Sequence, residues 1–255
     1  MRVVCKEQNT AEWYQARCGK IGASNIAKAM AYLKRGSGAR KAGDSSAERD
    51  RFILELATEL ITRLSAEHYV SKAMDIGTQY EGEARTEYWM STGQEVDETG
   101  FVLHPLIDYL GASPDGLCKD HGIEIKVPML HTHMGYLRAD VVPEEYIPQM
   151  QCGMLCCEME AWDFVSYCPA EVYPEVPERF RLFIKRLPAD PDMHRKMEEA
   201  ATATMEEATQ LVGRLSEQYP ERKKREETRT VQQEGYITDD DIRSVDPSWA
   251  MNEGA

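Results

Sequence analysis

Apolar and polar residues alternate with a period of two along the stretch IEIKV, which predicts a strand. Its isoleucine and valine side chains point to one face and Glu124 and Lys126 share the other, because successive side chains of a strand point to opposite faces. A short turn, GLCKDHG, precedes this stretch and would bring Asp115 back alongside the two charged residues. The pattern therefore predicts that two carboxylates and an ammonium group converge on a sheet.

Apolar residues at helical spacing predict five helices. In the second of these, apolar residues recur every four positions from Phe52 to Leu64, and Ser45 or Ser46 stands at its start. The third ends at Gly93, a residue type that commonly terminates helices. The first, third, fourth and fifth helices are predicted at about residues 24–33, 71–92, from residue 144 onward, and 190–217.

The remaining periodic stretches predict strands and complete the fold class. They lie at about residues 95–103, 109–112 and 122–127, and in the later stretches AWDFVSYCP and RFRLFIKRLP. Helices, then a short mixed sheet, then a helix and two strands are typical of an α/β or α+β domain with a central mixed β-sheet flanked by helices. We expect this domain to span residues 1–217. Residues 218–255 are charged and poor in large apolar residues, which predicts an extended or mobile tail.

Composition indicates the compartment. The chain has 255 residues, of which 42% are hydrophobic, and no apolar run approaches the length of a membrane span. The first ten residues are too polar for a signal peptide. We therefore expect a soluble cytoplasmic protein without a membrane partner, whose seven cysteines are free thiols.

Charge is distributed unevenly along the chain. The formal net charge is −14, but residues 1–51 hold eleven Lys and Arg against five acids, a local net charge of +6. A basic lobe on an acidic body suits a groove that binds a polyanion while the rest of the surface repels it. A solvated basic face without a partner explains the same charges equally well.

Two carboxylates and an ammonium in one place indicate a particular chemistry. Adjacent carboxylates repel, so one pKa rises unless a cation lies between them. Oxygen-only ligation favours Mg²⁺ or Mn²⁺, and such a site can polarise a phosphoryl oxygen while a lysine holds the attacking water. The predicted reaction class is phosphodiester hydrolysis. An ordinary Pro-Asp-Gly turn, followed by a strand with Glu and Lys on its outer face, explains the same residues without catalysis.

Three further stretches add polar groups in one order along the chain. GTQYEGEAR carries Glu81 on a predicted helix just before the sheet, where it could supply a third carboxylate. WYQARCGKIGAS carries Arg17 and Ser24, a guanidinium and a hydroxyl that suit a phosphate. EEYIPQMQ places Tyr146 and Gln149 on one helical face. Each of them also has a structural interpretation as a surface charge, an ion pair, a helix cap or a half-buried core residue.

The ordered set of motifs resembles one nuclease family. WYQARCGKIGAS, GTQYEGEAR, SPDGL, IEIKVP and YIPQMQ occur in the order found in phage lambda-type exonucleases, also called YqaJ-like viral recombinases. These belong to the restriction-endonuclease-like PD-(D/E)XK nucleases, so the resemblance implies a restriction-endonuclease-like core. It covers about residues 13–167.

The resemblance implies a role for each matching residue. Lys126 would orient the nucleophilic water, and Tyr146 and Gln149 would bracket the metal site. The implied ligands of two Mg²⁺ or Mn²⁺ ions are Asp115, Glu124, Glu81 and the backbone carbonyl of Ile125. The residues implied to hold a 5′-terminal phosphate are Arg17, Ser24 and Ser113. Gly22 departs from the pattern, where a larger residue is expected, and this could loosen the loop of Ser24.

The resemblance also implies an activity and partners. Members of this family digest one strand of duplex DNA from a 5′ end to mononucleotides and leave a 3′ single-stranded overhang. They tend to form trimeric rings that stay on DNA ends, and they work beside a single-strand annealing protein in recombination. The expected origin is a phage or prophage, and the expected location is the cytoplasm of a bacterial host.

Other interpretations stay open at this point. Some nucleases of the superfamily hold an iron–sulfur cluster with one early and three late cysteines, which here would be drawn from Cys5, Cys18, Cys152, Cys156, Cys157 and Cys168. A non-catalytic DNA-end-binding protein and a site-specific endonuclease are the other candidates. His131 and His133 lack a partner at zinc-ligand spacing, and we expect them in a loop that could touch DNA.

Overall fold

The described residues form two four-stranded mixed sheets, so the mixed sheet that the sequence predicts is present but divided in two. This computed structural model describes residues 1–36, 38, 40–65 and 72–220, except the side chains of residues 72–78. The first sheet has the order β1-β3-β4-β2, with β1 Arg2–Cys5, β2 Ile21–Gly22, β3 Phe101–Leu103 and β4 Leu110–Ala112. The second has the order β5-β6-β7-β8, with β5 Gly116–Leu117, β6 Gly122–Lys126, β7 Ala161–Tyr167 and β8 Leu182–Pro188.

Helices flank both sheets, as the α/β interpretation predicted. The α-helices of the described residues are α1 Ala11–Arg17, α2 Ile26–Ala29, α3 Ala47–Thr62, α4 Lys72–Thr92, α5 Leu130–Ala139, α6 Ile147–Cys157 and α7 Pro191–Gln218. Short 3₁₀ turns at Ala23–Asn25 and Glu144–Tyr146 lead into α2 and α6, and a third turn lies at Glu178–Phe180.

Strand β6 lies inside the second sheet and carries the predicted charged face. It pairs in parallel with β7, so that Glu124 lies beside Phe164, and antiparallel with the short β5. Ile123 and Ile125 pack on the opposite face into a core cluster with Val165. The predicted alternation is therefore confirmed, but both faces of this strand are covered, and Glu124 is only 2% exposed.

Helix α6 lies between two apolar cores and so fixes the position of its own first turn. Cys152 and Cys156 pack into a core cluster with Phe52 of α3, while Met150 and Met154 pack into a second one. Pro148 stands in the first turn, where its missing N–H costs least. The start of α6 is thereby held beside the charged face of β6.

Local signals predicted several boundaries correctly. Helix α3 begins after Ser46, whose side chain accepts a hydrogen bond from the backbone N–H of Arg49. Gly93 follows α4 with a φ of +70°, a conformation that favours glycine. Helix α7 ends at Gln218, one residue beyond the predicted end.

Other predictions were wrong. The helix expected over residues 24–33 ends at Ala29, because the following chain pairs back: the N–H of Leu33 donates to Asp44 and Tyr32 bridges to Ser45. The strand expected over 95–103 is formed only at Phe101–Leu103.

The histidine pair lies on helix α5 and not in a loop. His133 is fully buried, where its Nδ1 lies 2.7 Å from the Ser166 hydroxyl and its Nε2 lies 2.8 Å from the carbonyl oxygen of Phe180. Because His133 is buried, the prediction that it could touch DNA is wrong. Its two hydrogen bonds instead join α5 to β7 and to the turn before β8. His131 lies on the same helix and is exposed.

The remaining predictions concern the thiols and the chain ends. All seven cysteines are free. Residues 1–219 form one compact unit, and the predicted tail falls almost entirely on residues 221–255, which lie outside the described residues. In the described part of the chain, none of the helices has the length and apolar character that crossing a membrane requires.

Candidate active site

The Pro-Asp-Gly turn places Asp115 opposite β6. Gly116 pairs with Ile123 in the antiparallel ladder of β5 and β6, so the residue before it comes alongside Glu124. Oδ2 of Asp115 accepts a hydrogen bond from the backbone N–H of Ile125 over 2.7 Å. This contact fixes the carboxylate beside the strand that carries Glu124 and Lys126.

Two side chains donate to the Glu124 carboxylate, and a third lies beside one of these donors. Gln149 donates from Nε2 to Oε1 of Glu124 over 2.6 Å, and Nζ of Lys126 donates to the same oxygen. Nζ of Lys126 also lies 5.2 Å from the centre of the Tyr146 ring, which stacks on Phe164. The structure thus brings Tyr146 and Gln149 to the charged face of β6 from the beginning of α6.

The charges of the site perturb one another. Burial raises the pKa of Glu124 to about 7, with Asp115 and Glu81 adding to the rise and Lys126 opposing it. Burial also raises the pKa of Asp115. For Lys126 burial would lower the pKa, but the two neighbouring carboxylates outweigh it and hold the pKa above its ordinary value. Buried carboxylates this close together favour a further cation.

The donor atoms fit a hard divalent cation. Among the described residues, Asp115 Oδ1 and Glu124 Oε2 accept no hydrogen bond, so each carboxylate keeps one oxygen for a ligand. Oxygen donors of this type suit Mg²⁺ or Mn²⁺. No group of three or more His, Cys, Asp or Glu side chains that could hold a metal ion is present in the described part of the chain. Beyond these two carboxylates, the candidate ligands of a cation are backbone carbonyls such as that of Ile125, water and the Glu81 carboxylate, which lines the same cavity as Asp115.

Glu81 reaches the site from helix α4 and is paired with an arginine. Nη2 of Arg85 lies 2.6 Å from Oε1 of Glu81, and Nε of Arg85 donates to the backbone carbonyl of Asp115 over 3.0 Å. Burial and the charge of Asp115 raise the pKa of Glu81. Sequence reasoning missed Arg85, although its spacing of four residues from Glu81 on a helix was the signal for such a pair.

The residues expected at a 5′-phosphate lie in a separate group. Arg17, at the end of α1, donates from Nη1 to Oγ of Ser113 over 3.1 Å. Trp13 donates from Nε1 to the same hydroxyl over 2.9 Å, and its ring lies 4.2 Å from the Arg17 guanidinium carbon. Sequence reasoning missed Trp13, which stands one helical turn before Arg17 and holds both residues.

Ser24 joins this group across Gly22. A Cβ at Gly22 would lie 3.7 Å from Nη2 of Arg17 and 3.8 Å from Oγ of Ser24, so the two polar groups face the same small gap. Gly22 does not loosen the chain as expected, because it is buried in β2 and pairs with Gly111 of β4. A cavity of about 170 Å³ adjoins the gap and is lined by Arg17 together with Lys20, Asn25 and Lys28.

The late cysteines named for the iron–sulfur alternative lie in more than one core cluster. Cys152 and Cys156 face the core between α3 and α7, while Cys157 faces the second core with Trp162. Hydrophobic neighbours surround all three, and burial raises the pKa of the Cys157 thiol to about 12. The described residues therefore do not assemble the four-thiolate site that the iron–sulfur alternative requires.

Exonucleases are among the solved structures that share this fold. An alkaline exonuclease of Laribacter hongkongensis, LHK-Exo, superposes with a TM-score of 0.71 and 32% identity, covering 82% of this chain and 97% of that one. Its complex with dAMP gives the same values. A phage-related exonuclease of Haemophilus somnus 129PT has a TM-score of 0.60 over 77% of this chain and 96% of that one. At 17% identity it shows similarity of fold alone.

Sequence comparison points to the same family. The uncharacterized protein R354 of Acanthamoeba polyphaga mimivirus is 28% identical over 120 residues, which make up 42% of this chain. The chain spans about a fifth of the length of that curated relative. The model of the YqaJ-like viral recombinase domain matches residues 12–160, which include each of the candidate site residues described above. The chain belongs to the family of YqaJ-like viral recombinases.

Proposed function

We propose that this chain is a metal-dependent exonuclease that digests one strand of linear duplex DNA from its 5′ end. The products are mononucleotides and a duplex with a 3′ single-stranded overhang. One observation carries the proposal: Asp115, Glu124 and Lys126 meet at the edge of β6 in a chain whose fold matches an alkaline exonuclease over 82% of its length.

The proposed cofactor is Mg²⁺ or Mn²⁺, with two ions per site. Asp115, Glu124 and the carbonyl of Ile125 would hold it, and Glu81 would support the second ion. A divalent ion bound there supplies Lewis-acid polarisation of the scissile phosphate and lowers the pKa of water. The oxygen atoms left without a donor on Asp115 and Glu124 support this assignment.

The chain's own residues then position the reactants. Lys126 would donate hydrogen bonds to the attacking water and to the oxygen on which charge develops. Gln149 keeps Oε1 of Glu124 occupied, so Oε2 would remain available to a cation. Tyr146 forms a wall beside Lys126 and limits where the water can lie.

The proposed polarity comes from the group at Arg17. The guanidinium already donates to Ser113 and lies against the Trp13 ring, so it has little freedom to lose when it binds a phosphate. Ser24 and Ser113 would add hydroxyl groups. A terminal 5′-phosphate held there would anchor the strand whose next phosphodiester lies at the metal site.

The assembly and partners are proposed from family membership. We propose a homotrimeric ring that encloses the DNA, a single-strand annealing protein as partner in recombination, and action in the cytoplasm of a bacterial host. A closed ring does not require dense phosphate contacts. This agrees with a net charge of −14, since strong nonspecific binding would slow sliding along DNA.

A strand-specific digestion assay tests the proposal. Linear duplex with a 5′-phosphate and a different label on each strand is incubated with Mg²⁺, with Mn²⁺ and with EDTA, beside a closed circular duplex. With the phosphate on one 5′ end only, we expect mononucleotides from the 5′-phosphorylated strand, an intact complementary strand, an untouched circle and no reaction in EDTA. Nicking of the circle would indicate an endonuclease, and binding to ends without cleavage would indicate a non-catalytic end-binding protein. A visible absorption band would revive the iron–sulfur alternative.

A further inference from the structure

Arg85 contacts three segments around the candidate site. It lies on α4, one turn after Glu81, and its side chain is 14% exposed. Its Nη2 lies 2.6 Å from Oε1 of Glu81, its Nε donates to the carbonyl of Asp115 over 3.0 Å, and its Nη1 lies 2.6 Å from Oε1 of Glu98. The planar guanidinium thus uses three different nitrogens for its three partners, a spread that the single nitrogen of an ammonium group cannot reproduce.

Two of these contacts act on residues that would hold the cation. Asp115 is held at both ends, because Arg85 binds its backbone carbonyl and the N–H of Ile125 binds its carboxylate. Glu81 is held through its carboxylate, with one oxygen bound by Arg85. The third partner, Glu98, is 72% exposed and lies at the rim of the site.

Arg85 approaches the candidate site from helix α4. A cavity of about 550 Å³ has Glu81, Arg85 and Asp115 in its lining, and Arg85 enters it from the side of α4. Lys126 and Gln149 reach Glu124 instead from β6 and α6. Among the described residues, the hydrogen bonds and ion pairs of Arg85 go to Asp115, Glu81 and Glu98, and none of them joins it to Glu124.

We infer that Arg85 is a positioning residue that holds the Glu81 carboxylate and the Asp115 main chain in the arrangement that binds the divalent cation. It acts through these two residues and not by contact with DNA. The inference rests on the proposed function, since it deepens the assignment of the same metal site.

Substitution by lysine tests this role, with metal binding measured directly. R85K keeps the positive charge but loses the fork that reaches two partners. Calorimetry measures Mn²⁺ binding to the DNA-free protein. We expect R85K to lower the Mn²⁺ affinity by about 10- to 100-fold, the loss typical of residues that hold metal ligands in place. At fixed Mn²⁺ kcat should fall similarly and recover in part at high Mn²⁺, while KM for DNA ends changes little. E98Q removes only the exposed partner and should match the wild type.

A second pair of variants separates positioning from folding. If R85K does not fold by circular dichroism and thermal melting, R85Q replaces it, since it can still donate to the Asp115 carbonyl but cannot neutralise Glu81. In an E81Q background the effect of R85K on Mn²⁺ affinity should be smaller than in the wild type. Equal Mn²⁺ affinity and kcat in R85K and wild type overturn the inference. A wild-type protein that neither binds Mn²⁺ nor cuts DNA overturns the proposed function itself.

Discussion

Gln149 and Glu124, which lie 25 residues apart in sequence, are joined by a hydrogen bond of 2.6 Å from the side-chain amide to Oε1. Lys126 donates to the same oxygen, so two donors orient one carboxylate. Because Glu124 is buried, the orientation imposed by these donors decides which oxygen faces a cation.

Loss of the amide should therefore impair metal binding as well as turnover. We expect Q149A to lower kcat by about 10- to 100-fold and to raise the Mn²⁺ concentration needed for half-maximal activity. Q149E should be worse, since it places a second carboxylate against the first. Steady-state rates over a Mn²⁺ titration measure both effects, and E144Q, on the exposed side of the preceding turn, is the matched control. Wild-type metal dependence in Q149A would contradict the orientation role.

Replacement of the lysine should separate binding from chemistry. We expect K126A to retain Mn²⁺ and DNA-end binding, because Gln149 still holds Glu124, while kcat falls by about 10²- to 10³-fold. Single-turnover cleavage and DNA binding by fluorescence anisotropy give the two quantities. K185A, on β8 beyond β7 in the same sheet, removes a partly exposed lysine paired with Asp140 and should have no effect. Undiminished cleavage by K126A would refute its catalytic role.

The Arg17 group should determine the preference for phosphorylated ends. A charged hydrogen bond contributes about 1.5–3 kcal/mol, so R17A should reduce kcat/KM on 5′-phosphorylated duplex by about 10- to 100-fold and change it little on 5′-hydroxyl duplex. W13F keeps the aromatic ring beneath the guanidinium but removes the donor to Ser113, and we expect an intermediate loss. An equal loss on both kinds of end would rule out recognition of the terminal phosphate.

A buried carboxylate on the other face of the sheet, paired with a half-exposed arginine, should make stability depend on acid pH. Arg186 donates to both carboxylate oxygens of Asp163, over 2.7 and 2.8 Å, and Tyr88 donates to one of them over 2.7 Å. Burial alone would raise the pKa of Asp163, but these hydrogen bonds hold it below its ordinary value.

The lowered pKa of Asp163 determines how the stability of the protein changes with pH. A carboxyl with a lowered pKa in the folded state stabilises the fold fully above its unfolded pKa of about 3.9, and this stabilisation disappears as the pH falls through the folded value. We expect D163N to lower the free energy of unfolding by about 1–3 kcal/mol at neutral pH. Urea unfolding should show the variant and the wild type converging below about pH 4. A difference that stays constant across this range would show that the charge of Asp163 is not responsible.

Two glycines offer a matched test of packing beneath the site. A Cβ at Gly122, the first residue of β6, would lie 2.3 Å from the Trp162 ring, whereas a Cβ at Gly135 on α5 would meet nothing within 4 Å. We expect G122A to destabilise the protein by about 1–3 kcal/mol through overpacking. G135A should stabilise the helix by about 0.5–1 kcal/mol. Urea unfolding measures both, and a neutral G122A would show that Trp162 can move aside.

Elements with strong local signals were predictable from the chain. The four-residue apolar spacing in α3, its Ser46 cap and the glycine after α4 depend on contacts within a few residues. The same holds for the alternation along β6, which correctly placed Glu124 and Lys126 on one face. Local geometry sets these features, so neighbouring residues were sufficient to predict them.

Short elements escaped prediction because distant contacts form them. Strand β1 forms by pairing with β3, about a hundred residues later. Helix α2 ends at Ala29, shortly before Tyr32 pairs with Ser45. His133 was predicted to lie in a loop, but it lies on α5, where it is buried and makes hydrogen bonds with Ser166 and Phe180. A side chain's partners across the fold are not encoded in its immediate neighbours.

The sequence motifs predicted which side chains form the candidate site, and the tertiary structure determined which other residues contact them. The convergence of Asp115, Glu124 and Lys126 was predictable from the sequence. The strand pleat puts Glu124 and Lys126 on one face, and the short turn before β6 brings Asp115 back beside them. The contacts of Arg85 with Asp115, of Gln149 with Glu124 and of Trp13 with Ser113 join residues 25 to 100 positions apart. Only the packing of α1, α4 and α6 against the sheets decides these pairs, since long-range contacts depend on the whole core and not on local periodicity.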